Sequence, residues 1–326
     1  MNSDNQSNQL AWGRYWEKGF LTTFSGESDA NYTGLIKDFW ISEFEILTPN
    51  SLVLDCCSGN GAILALAKEF MNEKGVNHRL IAVDYAEIQS SNDFFSNNSD
   101  IQVFARTKIE DMPEEIQGVD LCVSQFGVEY TDLGASLSEI ARVLKPGGKF
   151  CALIHHVNSN ITNASRLSVD QIKFCFDSSL PEIVLQLLTR LEELILSEVR
   201  PNTDAVSENL RNMYNIEAQR VWAYAESLAD SAHINYFLGE LSGVFSGKAK
   251  GLSFEQKKQI VRDVGDESKL YERRMRAMLE ASHDEASIRM LESELRNQGF
   301  EDVSVEEMTA GSEVAAWKVR GFLMPG

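Results

Sequence analysis

The sequence predicts an α/β protein in which a parallel sheet is covered by helices on both faces and is interrupted by a long helical insertion. Apolar, strand-like segments alternate with segments long enough for helices between residues 51 and 156, a pattern typical of parallel sheets. Strand-like stretches are then almost absent over residues 161–283. A helix and two strands follow, and we expect them to rejoin the sheet.

The strands and turns of the sheet can be placed in order. Five strands are expected in the first part of the chain: "SLVLDCC" at 51–57, "LIAVDY" at 80–85, "IQVFA" at 101–105, "DLCVSQF" at 120–126 and "KFCALIHH" at 149–156. The helix in "EIARVLKPGGKF" should end at Pro146, because proline and the two glycines after it break a helix. Near the end of the chain, "SIRMLESELRNQGFEDVSVEEM" predicts a helix, a stop at Gly299 and a strand, and "AAWKVRGFL" predicts the last strand.

The insertion over residues 161–283 has apolar residues at helical spacing. Its segment "PEIVLQLLTRLEELILSEV" starts with proline in the first turn and carries apolar positions on one face, as an amphipathic helix does. We therefore expect a sheet domain of residues 1–160 and 284–326 and an inserted helical cap of residues 161–283. An insertion after the fifth strand should lie over the carboxyl ends of the strands, where open α/β sheets bind ligands.

The N-terminal segment is rich in aromatic residues. Residues 1–10 are polar and predict no regular structure, whereas residues 11–48 contain the aromatics Trp12, Tyr15, Trp16 and Tyr32. We expect residues 11–48 to form a flap over a ligand, although ordinary packing is an open alternative.

Composition limits the classes of partner. Hydrophobic residues make up 43% of the chain and the formal net charge is −19, which argues against nucleic acid or an anionic membrane as the main partner. The five cysteines form no CxxC pair and no metal-ligand spacing, so we expect no metal site and a reduced, cytoplasmic protein. The start "MNSDNQSNQL" lacks the apolar core of a signal peptide.

A glycine turn follows the first strand and predicts a nucleotide-type pocket. In "SLVLDCCSGNGAILALAKEF", Gly59 and Gly61 allow positive φ and close approach of a ligand to the backbone. The dinucleotide pattern GxGxxG fails, since Leu64 stands at its third glycine, and no GxxxxGK[ST] phosphate loop occurs. Asp84 ends the second strand, where an acidic side chain can bind both hydroxyls of a ribose.

Taken together, the motifs identify a family resemblance. "VLDCCSGNG", "AVDY", "IEDMP", "DLCVSQFGVEY" and "EIARVLKPGGKF", in this order and spacing, resemble the class I S-adenosylmethionine-dependent methyltransferases. The resemblance covers roughly residues 50–156 and 284–320. It implies a Rossmann-like, seven-stranded, mostly parallel sheet with an antiparallel last strand, and S-adenosylmethionine as the cofactor.

The resemblance also implies roles for individual residues. The methionine half of the cofactor would face the turn after the first strand, the ribose and adenine would lie at the ends of the second and third strands, and the methyl group would lie at the end of the fourth. The implied cofactor residues are Asp55, Cys57, Ser58, Gly59, Asn60, Gly61, Asp84, Tyr85, Ile109, Glu110, Ser124 and Gln125. We expect Glu129, Tyr130, Tyr15 and Tyr32 at the substrate mouth.

Two positions depart from the family pattern. Cys57 stands at the first glycine of the usual D/E-x-G-x-G-x-G, and Lys108 replaces an acidic residue that often precedes "xEDxP". A cysteine can keep such a turn if its φ is negative, so we expect cofactor binding to be retained. Loss of the carboxylate at position 108 removes about one hydrogen bond, worth ~1 kcal/mol.

"ALIHHVNSN" supplies candidate proton acceptors. His155 and His156 should point to opposite faces of the fifth strand, and one of them could deprotonate an acceptor hydroxyl or amine. We predict methyl transfer to a small molecule, to oxygen first and to nitrogen second. The alternatives are a protein side-chain methyltransferase, a non-catalytic partner subunit and, more distantly, an oxidoreductase. A homodimer through the helical insertion is a further possibility.

Overall fold

The structure is a computed structural model that describes residues 3–23, 31–88 and 93–324. The chain divides into two compact units. The sheet unit comprises Met1–Asn163 and Ala277–Gly326, and the helical unit comprises Ala164–Arg276. Each unit has hydrophobic core residues of its own.

Seven strands form one sheet in the sheet unit. They are β1 (Leu52–Cys56), β2 (Arg79–Val83), β3 (Gln102–Phe104), β4 (Val119–Gln125), β5 (Leu144–Ile154), β6 (Phe300–Ala310) and β7 (Glu313–Leu323). Their order is β3-β2-β1-β4-β5-β7-β6. The first five pair in parallel, and β7 runs antiparallel to β5 and β6. The predicted Rossmann-like sheet with an antiparallel last strand is confirmed.

Helices surround the sheet and make up the helical unit. They are α1 (Ser3–Trp16), α2 (Gly34–Glu45), α3 (Ala62–Lys74), α4 (Asp93–Asn97), α5 (Leu133–Val143), α6 (Asn160–Phe176), α7 (Leu180–Leu196), α8 (Ala205–Glu226), α9 (Ala232–Gly243), α10 (Phe254–Ala281) and α11 (Glu285–Asn297). Between β5 and β6 the described chain holds helices α6–α11 and no strand of the sheet. The insertion is therefore all-helical, as predicted.

Helices bury both faces of the sheet, and successive strand residues point to opposite faces. Leu54 of β1 packs in a cluster that contains Ile140 of α5 and Leu291 of α11. Its neighbour Val53 belongs to the opposite cluster, with Trp40 of α2 and Leu64 of α3. With both faces covered, the carboxyl ends of the strands remain available for a ligand.

The helical unit has a core of aliphatic and aromatic side chains. Val184 of α7, Val221 of α8, Phe237 of α9 and Val261 of α10 pack in one cluster. Pro181 lies in the first turn of α7, where the missing N–H has no intrahelical partner to lose.

Two local expectations are wrong. The helix α5 ends at Val143 rather than at Pro146, because Leu144 already pairs with Val119 of β4 and a register shift follows this pair. The polar start of the chain is helical, since α1 begins at Ser3. Within residues 3–23, 31–88 and 93–324, no helix is long and apolar enough to cross a membrane.

Candidate active site

One cavity opens where the carboxyl ends of β1, β2 and β4 meet, and its empty volume is about 1200 Å³ with the open mouth included. Its walls come from α1 and the segment after it, and from the ends of these strands with the loops that follow. The predicted site residues that line it are Asp55, Cys57, Ser58, Asp84, Tyr85, Ile109, Glu110, Gln125, Tyr32 and Tyr130. The other predicted residues do not line it: Gly59, Asn60, Gly61, Ser124, Glu129, Tyr15, His155 and His156.

Two buried carboxylates lie in this cavity. Asp55 is 1% exposed, and its Oδ2 has no hydrogen-bond partner among the described residues. Burial raises the pKa of Asp55 well above its ordinary value, and the nearby Asp84 carboxylate raises it further. Burial also raises the pKa of Asp84. A cation bound here would stabilise the ionised form of both groups.

Backbone amides hold Asp84 in place. Its Oδ2 accepts a hydrogen bond from the amide of Gly59 at 2.8 Å, and its Oδ1 accepts one from the amide of Ala86 at 2.7 Å. Each carboxylate oxygen can accept a second hydrogen bond. Asp84 is therefore fixed to the glycine turn and still has acceptor capacity for a ligand.

The expectation that Cys57 has a negative φ is wrong. Its φ is +59°, in the left-handed region that costs a side-chain-bearing residue about 1–2 kcal/mol. The packing partner is Gly127, after β4: a Cβ on Gly127 would lie 2.3 Å from the Cβ of Cys57. The cysteine therefore occupies space that the missing Gly127 side chain leaves open. Burial, followed by the nearby Asp84, raises the pKa of the Cys57 thiol well above its ordinary value.

The middle of the glycine turn contacts the N-terminal segment instead of the cavity. The Trp16 ring packs so closely on Gly59 that a Cβ there would lie 2.5 Å from it. Asn60 donates hydrogen bonds from Nδ2 to the carbonyls of Trp16 at 3.0 Å and Phe20 at 2.8 Å. These contacts hold α1 against the turn, which lets Trp12 and Trp16 line the cavity.

Aromatic rings form the wall between α1 and the loop after β4. The centroids of Trp12 and Tyr130 are 5.8 Å apart and their rings are nearly perpendicular. Tyr32 also lines the cavity, and burial raises the pKa of its phenol. Tyr15 does not reach the cavity, because its hydroxyl donates to the carbonyl of Thr22 at 2.7 Å.

The wall beyond Asp84 combines an aromatic ring with charged groups. Lys108 Nζ lies 5.3 Å from the centroid of the Tyr85 ring, within cation–π range. Ile109 is buried, and Glu110 accepts a hydrogen bond at Oε1 from the amide of Asp132 at 3.2 Å.

At the end of β4, one predicted residue is structural and one faces the cavity. Ser124 is fully buried; its hydroxyl donates to the carbonyl of Cys56 at 2.9 Å and accepts from the amide of Val128 at 3.0 Å. Gln125 lines the cavity, and its Oε1 accepts a hydrogen bond from the Trp40 indole.

The two histidines follow directly after β5, and His155 contacts the lining residue Phe126. The His155 ring stacks on Phe126 at 4.3 Å, and burial lowers its pKa to about 3. The His156 ring packs against Trp317 at 4.6 Å, and its Nε2 lies 3.4 Å from a carboxylate oxygen of Glu307. Their role as bases stays a prediction.

Glu129 lies behind the cavity wall and is 6% exposed. Its Oε1 accepts a hydrogen bond from the amide of His155 at 3.0 Å, and its Oε2 is buried with no partner among the described residues. Burial raises its pKa to about 8.

Sequence reasoning missed several cavity residues. Phe126, Gly127, Thr107 and Thr131 line the cavity; Phe126 and Gly127 belong to the motif "DLCVSQFGVEY", but none of the four was assigned a role. The "FG" that ends the fourth strand carried a signal, because a glycine directly after a strand end often marks close approach of another backbone or a ligand.

The central part of the chain matches a known family model and two curated relatives. Residues 54–152 match the model described as "Methyltransferase domain". The ubiquinone/menaquinone biosynthesis C-methyltransferases UbiE of Rickettsia prowazekii (strain Madrid E) and Rickettsia typhi (strain ATCC VR-144 / Wilmington) are each 35% identical over 123 residues. This match covers 35% of this chain and 49% of each relative, so the chain spans about half the length of the curated relatives it matches.

Solved structures of methyltransferases are also similar. A putative S-adenosyl-L-methionine-dependent methyltransferase from Methanococcus maripaludis is 13% identical, with a TM-score of 0.41 and coverage of 99% of this chain and 93% of that chain. Geranyl diphosphate C-methyltransferase from Streptomyces coelicolor A3(2) is 17% identical, with a TM-score of 0.32 and coverage of 45% and 64%.

Proposed function

We propose that this chain, which belongs to the class I S-adenosylmethionine-dependent methyltransferases through its residues 54–152, is an enzyme that methylates a small-molecule acceptor. Oxygen is the first proposed acceptor atom and nitrogen the second. The observation that carries the proposal is the pair of buried carboxylates, Asp55 and Asp84, in a cavity at the strand ends.

Asp55 fits the cationic end of the cofactor. S-adenosylmethionine carries a sulfonium and an ammonium group, and Asp55 Oδ2 is a buried acceptor with no partner among the described residues. An unsatisfied buried carboxylate is costly, and an ammonium donor would relieve that cost through a charge-assisted hydrogen bond. Asp55 would therefore hold the ammonium group.

Asp84 and the wall beyond it fit the nucleoside end. The carboxylate lies directly after β2, where an acidic side chain suits ribose hydroxyls, and two backbone amides fix its orientation. Tyr85 and Ile109 line the adjoining wall and offer apolar surface for the adenine ring.

The remaining residues of the cavity orient the acceptor and exclude water. When bound, S-adenosylmethionine supplies an electrophilic methyl group, and transfer then depends mainly on alignment of the acceptor atom. Trp12, Phe126 and Tyr130 provide an apolar wall that keeps water away from this atom. Gln125, held by its hydrogen bond from Trp40, provides a polar contact.

We keep His155 and His156 as the proposed proton acceptors for a hydroxyl or amine, although neither side chain lines the cavity. With a pKa of about 3, His155 remains neutral at pH 7 and is a weak base. We expect His155→Gln or His156→Gln to lower turnover while affinity for S-adenosylhomocysteine is retained. Full activity of both variants would remove the histidines from the mechanism.

Calorimetric titration of the full chain tests the proposed function. S-adenosylmethionine, S-adenosylhomocysteine and NAD are titrated separately. We expect micromolar binding of the first two and none of NAD. NAD binding would favour an oxidoreductase, and binding of none would favour a non-catalytic partner subunit.

A matched pair of variants shows whether the Asp55 carboxylate contributes to S-adenosylmethionine binding. Asp55→Asn should weaken S-adenosylmethionine binding about tenfold or more, the effect of losing one charge-assisted hydrogen bond. Asp100→Asn is the control, because Asp100 is 66% exposed and pairs with Lys68 on the surface. Equal affinities of the two variants would contradict the assignment of Asp55.

A further inference from the structure

Charge is unevenly distributed over the cavity wall. Asp55, Asp84 and Glu110 contribute carboxyl groups, whereas Lys108 is the one cationic side chain among the lining residues that the structure describes. Its ammonium group already lies over the ring of Tyr85. In the proposed arrangement these carboxyl groups face the cofactor. A phosphate or carboxylate on the acceptor would find no arginine among the described lining residues, and the one lysine there already contacts Tyr85.

The wall on the side of α1 and of the loop after β4 is aromatic. Trp12 meets Tyr130 edge to face at 5.8 Å and stacks on Trp16 at 6.1 Å. Phe126 is held by its stacking contact with His155. Rings fixed in this way offer preformed faces and edges to another planar ring, and their faces also attract cations.

From this combination we infer that the methyl acceptor is a planar aromatic compound, neutral or cationic, that carries no phosphate or carboxylate group. The inference rests on the proposed function and adds the chemical class of the acceptor. The aromatic wall selects the ring, and the described wall offers an anionic group no arginine and only Lys108, which already contacts Tyr85.

A series of probes with a common carbon skeleton tests the inference on the wild-type chain. Binding of 2-naphthol, 2-naphthylmethylammonium, 2-naphthoate and the saturated alcohol 2-decalol is measured by calorimetry in the presence of saturating S-adenosylhomocysteine. We expect the first two to bind about tenfold more tightly than the last two. Equal or tighter binding of 2-naphthoate overturns the charge argument, and equal binding of 2-decalol overturns the aromatic argument.

Substitutions in the aromatic wall then test whether 2-naphthol binds against Trp12 and Tyr130. Tyr130→Leu and Trp12→Leu replace an aromatic ring with a smaller aliphatic side chain, so each should weaken 2-naphthol about fivefold while affinity for S-adenosylhomocysteine changes less than about twofold. Trp222→Leu is the matched control, because Trp222 lies on α8 of the helical unit and is 54% exposed. Unchanged naphthol binding in both cavity variants would overturn the placement.

The cofactor titration separates this inference from the proposed function. If S-adenosylhomocysteine binds and none of the probes does, the acceptor class is wrong and the proposed function stands. If S-adenosylhomocysteine itself does not bind, the proposed function fails and the inference fails with it.

Discussion

The sheet unit buries carboxylates, whereas no carboxylate is fully buried among the described residues of the helical unit. One of those in the sheet unit, Glu43, is neutralised by Lys149 and Arg320. Asp55, Asp84 and Glu129 have no ion-pair partner in the described part of the chain, and burial raises the pKa of each.

In the helical unit, the buried amide of Gln171 is satisfied within the fold. Gln171 donates from Nε2 to the carbonyl of Asp230 at 3.0 Å and accepts at Oε1 from the amide of Ile234 at 3.3 Å. An unpaired buried carboxylate lowers stability, so its presence marks a site kept for something other than folding. We therefore expect the functional site in the sheet unit.

The largest expected effect concerns pH and the sheet unit. Glu129 has a pKa of about 8 in the folded chain against an ordinary 4.5, so its protonated form is favoured by folding. That stabilisation is complete below pH 4.5 and is lost as the pH rises through 8. Between pH 5 and pH 8, the free energy of unfolding of Glu129→Gln should rise by about 4 kcal/mol relative to that of wild type, because glutamine does not ionise. Urea unfolding at the two pH values measures the change.

An exposed glutamate in the same unit is the control for this experiment. Glu115→Gln removes an exposed carboxylate and should leave the pH dependence of wild type unchanged. If the free energy of unfolding depends on pH in the same way for Glu129→Gln and Glu115→Gln, Glu129 is ionised in the folded chain. Only Asp55 and Asp84 would then remain as buried carboxylates with a raised pKa.

Asp84 should have the next largest effect. Asp84→Asn removes a charged acceptor that fits two ribose hydroxyls, so affinity for S-adenosylhomocysteine should fall about a hundredfold, or ~3 kcal/mol. The free energy of unfolding is measured alongside, because the amide introduced by this substitution can accept only one of the two backbone hydrogen bonds that Asp84 accepts, and loss of the other should destabilise the chain by about 1–3 kcal/mol. Near-unchanged affinity would remove Asp84 from the ribose site.

The contact between Cys57 and Gly127 can be tested by a double-mutant cycle. Gly127→Ala should destabilise the chain by about 2 kcal/mol, because the new methyl group overlaps the Cβ of Cys57. Cys57→Gly in the same chain should restore most of that loss, and urea unfolding of all four chains gives the coupling energy. Additive effects would mean that the two residues do not share this space.

The smallest effect on stability is expected on the surface of the helical unit. On α8, Val206, Met213 and Ile216 are 54%, 41% and 67% exposed, and we predict that this face mediates a homodimer. Ile216→Lys should shift the mass measured by light scattering from dimer to monomer. At protein concentrations at which the wild type is also monomeric, it should change the unfolding free energy by less than about 0.5 kcal/mol. A monomeric wild type would contradict the prediction.

The sequence predicted the strands and the insertion because their signals are local. Hydrophobic periodicity separates the strands of the sheet from helices such as α7. The carboxylates Asp55 and Asp84 could also be predicted, since both directly follow buried strands and parallel strands end at the same edge of a sheet.

Side-chain partners from distant segments could not be predicted in this way. The sequence predicts Asn60 as a turn residue, but its side chain also donates hydrogen bonds to the carbonyls of Trp16 and Phe20. Cys57 has a positive φ and packs against Gly127, which follows another strand of the sheet. His155 lies just past β5, where strand alternation no longer fixes its direction.

Proton release on cofactor binding tests the central claim most directly, namely that the buried carboxylates of the sheet unit serve a cationic ligand. Titration with S-adenosylmethionine at pH 7 is repeated in buffers of different ionisation enthalpy. Because burial raises the pKa of Asp55 and a bound ammonium group lowers it, binding should release protons from the chains in which Asp55 is protonated. Asp55→Asn should abolish most of this release. Heats independent of the buffer in the wild-type chain would contradict the account.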